Sequence, residues 1–136
     1  MLDTNVVVSA LLWGGEPFKL IRAAAAGDVE LHTSPALLAE LQDVLGREHL
    51  ARRLAQRRWS AEQAIGLYVE LAVAVSPLAT PRVVPGDADD DHVVAAAVAG
   101  RAALIVSGDR HLLNMGHHAG IPIVGAREAV ERISRG

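Results

Sequence analysis

Apolar residues arrive in separate bursts along this chain, and their spacing switches between two periods. Val29-Glu30-Leu31-His32-Thr33 alternates at period two, the pattern of a half-buried strand. Ser34-Pro35 then starts a helix, with an N-cap hydroxyl followed by proline at the first helical position. Leu37, Leu38, Leu41, Val44 and Leu45 recur along it at helical spacing. Pro17 to Ala26 predicts a helix that Gly27 ends, and Ser60-Ala61-Glu62-Gln63 reads as a capping box opening another, with Ile65, Leu67, Tyr68 and Leu71 as its apolar positions. Val73 to Val75 predicts a short strand before a proline-punctuated loop from Ser76 to Gly86. Ala103 to Ser107 is a continuous apolar run, expected to be a buried parallel strand. A helical turn, a short strand at Ile121 to Val124 and a final helix from Ala126 complete the pattern. At the other end Leu2 leads into Asp3 as the close of a strand. Strands alternating with helices predict a three-layer α/β domain with a mostly parallel sheet.

One stretch breaks the apolar rhythm. Asp87-Ala88-Asp89-Asp90-Asp91-His92 places four carboxylates immediately before the alanine-rich run Val93 to Ala97, which is expected to be a buried helix ending at Gly100. Acids are favoured at a helix start, but one or two satisfy that preference. Other acids fall at comparable places. Asp3 ends the first strand, Asp109 follows the Ala103–Ser107 strand, and Glu40 rides on the helix leaving the Val29–Thr33 strand. In open parallel sheets functional groups collect at the carboxyl ends of the strands, so these acids are expected along one edge.

Composition narrows the chemistry. With 136 residues, half of them hydrophobic, the chain is expected to be one domain. It has no cysteine, hence neither disulfides nor thiolate ligands. No apolar run has the ~20 residues of a membrane span and no leader pattern is present, so the cytoplasm is the default location. The net charge of −3 and four aromatic residues exclude a bulk-basic or stacking-platform nucleic-acid binder. Two carboxylates about 5 Å apart repel by roughly 3 kcal/mol at an effective dielectric of 20. A cluster of them must protonate, separate or bind a cation, and an all-oxygen set favours Mg²⁺ or Mn²⁺ over zinc. Hydrolysis of a phosphodiester is the chemistry such a site serves.

Asp3-Thr4-Asn5, Ser34-Pro35 with Glu40, Asp89-Asp90-Asp91 before the alanine-rich helix, and Ser107-Gly108-Asp109 together resemble the PIN-domain nucleases, the family that includes VapC-type toxins. The resemblance runs over nearly the whole chain. It implies about five parallel strands flanked by helices, a helix directly after Asn5 in spite of its valines, and cleavage of RNA with Mg²⁺ or Mn²⁺. By position it implies Asp3, Asp91 and Asp109 as metal ligands and Glu40 completing the pocket, with Thr4, Asn5, Asp90 and Ser107 orienting it. It also implies a cognate antitoxin and a homodimer, for which the apolar face of the helix containing Phe18 and Leu20 is the expected surface. Only Met1 and Leu2 precede Asp3, where the family has several strand residues, so the first strand is expected to be clipped or to begin upstream. Gly86-Asp87-Ala88 also stands where this branch has an Arg-Asp-Pro lead.

Simpler roles compete at several positions. Asp89 is expected to be a helix N-cap, Asp87 a loop acid, and His92, His111, His117 and His118 surface histidines. Five arginines between Arg47 and Arg58, against the single acid Glu48, read as a solvated face or a grip on RNA phosphates. Two other functions fit less well. A haloacid-dehalogenase-type phosphatase wants a second aspartate where Asn5 stands and a lysine, and Lys19 is the only lysine. A non-catalytic RNA- or protein-binding module leaves the acids unexplained.

Overall fold

The computed structural model describes residues 1–78, 80, 84 and 88–135. Helices dominate: α1 (Thr4–Trp13), α2 (Gly15–Ala25), α3 (Pro35–Leu45), α4 (Glu48–Gln56), α5 (Ala61–Leu71), α6 (Ala88–Ala99), α7 (Arg110–Met115) and α8 (Ala126–Arg135). The strands are short: β1 (Leu31–Thr33), β2 (Ala72–Ala74), β3 (Ile105–Val106), β4 (His117–His118) and β5 (Ile121–Val124). β1 pairs in parallel with β2, while β5 lies between β3, parallel to it, and β4, antiparallel to it. The chain is therefore α/β, as the alternating pattern predicts. Among the described residues the strands fall into a two-stranded and a three-stranded sheet, and a single sheet of about five is not seen.

The N-terminal residues extend the β3 side. Leu2 bridges Val106 in parallel, with Asp3 N–H donating to Val106 O at 2.9 Å and Val106 N–H donating to Met1 O at 2.8 Å. Alternate side chains then enter opposite cores. Leu2, Val106 and Val124 join α1, α2, α3, α4 and α5 in one buried cluster, and Met1, Ile105 and Ile123 join α6 and α7 in the other. This is the period-two consequence of strand geometry. It leaves the strand ends as an edge where polar residues can gather.

Local chemistry explains the helix starts. Ser34 Oγ accepts the Leu37 N–H at 3.3 Å, with Pro35 at the first position. Ser60 and Gln63 form the reciprocal capping box, at 3.1 and 2.9 Å. α1 is helical despite three consecutive valines because nearly every face is buried: Val6, Val7, Val8, Ala10, Leu11 and Leu12 are all core, and packing overrides their strand preference.

Leu20 corrects one expectation. It is 2% exposed and packs in the core with α1, so the α2 face that carries it is not available to a second copy. Periodicity marks an apolar face without saying what already covers it.

α4 ends in a Schellman turn, with Trp59 N–H donating to Leu54 O and Arg58 N–H to Ala55 O, both at 2.9 Å. Arg58 occupies the left-handed position of that turn at φ 60°, where a Cβ is penalised and glycine is not. Arg58→Gly is expected to stabilise the chain by about 0.5–1 kcal/mol, the left-handed penalty less glycine's extra unfolded-state entropy. Urea denaturation measures it.

Candidate active site

The acids expected along one edge come from separate elements, and the structure brings Asp3 beside Asp109 and Asp109 beside Asp90. Asp3 ends the 1–3 segment and directly precedes α1, Asp109 follows β3 and precedes α7, and Asp90 and Asp91 occupy the first turns of α6. Glu40 is half-buried on α3, which leaves β1.

A single hydroxyl connects two of them. Ser107, fully buried, donates through Oγ to Asp3 Oδ2 at 2.7 Å, and the same Oγ accepts the Asp109 N–H at 2.9 Å. Asp109 Oδ1 in turn accepts the His111 N–H at 2.7 Å, capping α7, and lies 3.6 Å from His111 Nδ1. Asp109 is thus both a helix cap and a member of the acid group.

Burial of Asp3 holds its carboxyl above the ordinary value of 3.8. The Ser107 hydrogen bond opposes that rise, the neighbouring Asp109 charge adds to it, and the N–H groups of Thr4 and Asn5 oppose it again. Asp3 makes no capping hydrogen bond to α1, so those N–H groups act as nearby dipoles. A carboxylate that is buried, close to a second one and not capping a helix is poised to gain from a cation.

The structure extends the set. Ligand atoms of Asp90, Asp109 and His111 lie within 4.8 Å of one another, a spacing that one ion can bridge. Asp90 is 4% exposed and Asp91 1%. Asp91 Oδ1 accepts the Val84 N–H at 2.7 Å, so this acid also ties the preceding loop to α6. Two carboxylates and an imidazole beside the buried Asp3 suit a hard or borderline divalent cation and offer nothing to a thiophilic one. The donor set fits a metal.

Other expected residues stand as follows. Thr4 is buried and Asn5 exposed on α1. α6 begins at Ala88, so Asp89 lies in its first turn and not at its cap; Asp87 and the Asp89 side chain fall outside the described residues. His117 and His118 sit on β4, not on a helix or loop, and His92 is half-buried on α6. His111 is the residue that sequence reasoning set aside. The signal was there in Asp109-Arg110-His111, because a capping aspartate binds the N–H two positions on and so brings that side chain beside its own.

Residues 1–111, which hold every acid of this site, match the sequence model of the PIN domain. The chain belongs to the PIN-domain family. No curated protein and no solved structure matches it. PIN domains are in general metal-dependent nucleases, and the cluster of Asp90, Asp109 and His111 is compatible with that. Among the described residues no helix is long and apolar enough to cross a membrane.

Proposed function

We propose that this PIN domain is an endoribonuclease that hydrolyses RNA phosphodiesters with Mg²⁺ or Mn²⁺. The observation that carries the proposal is the Ser107 hydroxyl fastening Asp3 to Asp109 beside Asp90 and His111. Asp3, Asp91 and Asp109 are the proposed ligands, with Glu40 completing the pocket, and Asp90 and His111 join them on geometry. Bound there, the ion supplies Lewis acidity toward a phosphate oxygen and acidifies water. The chain's own contribution is arrangement. Ser107 fixes the angle between two acids, the helix starts place the others, and burial removes competing water from Asp3. Thr4 and Asn5, at the start of α1, orient the entrance. In the same reading the two sheets work as one of about five strands, joined through residues 1–3, between two helical layers.

Cleavage of a defined single-stranded RNA tests the proposal. It is expected with Mn²⁺ or Mg²⁺, and to disappear both with EDTA and in Asp109→Asn. Equal cleavage in all of these identifies a contaminant and ends the proposal.

The toxin role belongs to the same reading: a cytoplasmic nuclease held by a small antitoxin that covers the acidic pocket, in a homodimer. Growth arrest on expression, relieved by a short neighbouring reading frame, supports it. Light scattering reports the oligomer.

A further inference from the structure

α1 is buried along most of its circumference, but Asn5, Ser9 and Trp13 reach the surface. They stand four residues apart and therefore form one stripe along the helix. The stripe starts two residues beyond Asp3 and ends about 12 Å away at 1.5 Å per residue. At its far end Trp13 is 53% exposed, a costly placement for the largest side chain in a domain with two tryptophans. The Arg53 guanidinium lies 5.6 Å from the centre of its ring, within reach of cation–π attraction. Arg53 belongs to α4, where Arg52 is paired with Glu48, while Arg47, Arg53, Arg57 and Arg58 have no carboxylate partner among the described residues. An otherwise acidic chain thus concentrates unneutralised positive charge beside an open indole, at the end of a polar track that begins at its acid site.

We propose that this stripe is a nucleotide subsite. A base flanking the scissile phosphate stacks on Trp13, a phosphate pairs with Arg53, and the intervening backbone crosses Ser9 and Asn5. The ligand is single-stranded RNA, because a paired base has no free face to offer the indole. The subsite rests on the nuclease reading for its orientation toward Asp3, but its binding does not require cleavage.

A metal-free titration separates the two. In a Trp59→Phe background Trp13 is the sole tryptophan, and its fluorescence is followed with EDTA present as a single-stranded RNA of about ten nucleotides is added. Quenching is expected, and Arg53→Gln is expected to weaken binding about tenfold and to flatten the log–log salt dependence by about 0.7. In the cleavage assay Trp13→Leu is expected to raise KM about tenfold with kcat nearly unchanged. Arg53→Gln alters an exposed side chain, so it remains informative if Trp13→Leu folds poorly. Arg101→Gln is the control, since Arg101 is an exposed arginine that follows α6 and belongs to neither α1 nor α4; it should leave binding unchanged. Absence of quenching, wild-type binding by Arg53→Gln, or equal quenching by a duplex overturns the subsite. Quenching by an acidic peptide but not by RNA overturns it too and assigns the patch to a protein. RNA binding at Trp13 without any cleavage would instead count against the nuclease reading alone.

Discussion

Asp3→Asn is expected to lower RNA cleavage by about 10²–10³-fold, the usual cost of removing one group that stabilises developing charge, while making the metal-free protein more stable. The two effects have one cause. Burial and the Asp109 charge raise the Asp3 carboxyl above its ordinary value, so in the folded chain without metal its ionised form is disfavoured. The folded state then binds more protons than the unfolded state across the interval from 3.8 up to the raised value. Stability of the metal-free wild type is full below that interval and falls as pH rises through it. Asn keeps the carbonyl that accepts the Ser107 hydroxyl and removes the charge. At neutral pH the variant should gain on the order of 1 kcal/mol, about 3–6 °C in melting temperature for a domain of this size, and lose the acid-side dependence. Mn²⁺ should reverse the order, stabilising the wild type and leaving Asp3→Asn unmoved. Melting curves between pH 4 and 8, with and without Mn²⁺, read all three. A variant less stable than wild type without metal would mean that Asp3 holds the fold together and is not strained by its neighbours.

That antagonism between stability and charge is the form in which the site was legible from sequence. Asp3, Asp90 and Asp109 could be expected near one another because strand ends and helix starts carry local signals, such as Ser34-Pro35 and the Ser60–Gln63 box, whose chemistry acts within a few residues. The ranking among adjacent acids was not legible. Asp90 and Asp91 share a helical turn but point about 100° apart, and which one meets Asp109 depends on the helix's rotation, set by the packing of Val93, Ala96 and Ala97 in the core.

Sheet extent was hidden for a similar reason. Val29 to Thr33 alternates over five residues, but the ladder runs only over Leu31–Thr33, because β2 offers three partners. β4 had no pattern at all. It exists because Ala119 and Gly120 both adopt positive φ, 50° and 78°, and fold His118 back on Ile121. That is the geometry of a two-residue hairpin turn, for which Asn-Gly is the usual advertisement and Ala-Gly is not.

Asp91 carries the second large prediction, because it has both a proposed ligand role and an observed structural one. Its Oδ1 receives the Val84 N–H at 2.7 Å in a buried setting, with Asp91 1% exposed and Val84 2%. Asp91→Ala leaves that N–H without its acceptor, at a cost of about 2–3 kcal/mol for a hydrogen bond to a charged group. It should also abolish Mn²⁺-dependent stabilisation and cleavage. Asp91→Asn separates the two losses, since the amide oxygen can still accept from Val84 but cannot supply a negative ligand. The expected result is near-normal stability without metal and metal affinity weakened at least tenfold. Asp90→Asn should resemble Asp91→Asn in metal affinity, without Asp91→Ala's loss of stability, because the spacing that links Asp90 to Asp109 and His111 is an arrangement for a cation. Calorimetric Mn²⁺ titration of the three variants, with their urea denaturation, decides the matter. If Asp91→Asn binds Mn²⁺ like the wild type, Asp91 only anchors the loop at Val84, and the ligand role passes to Asp90.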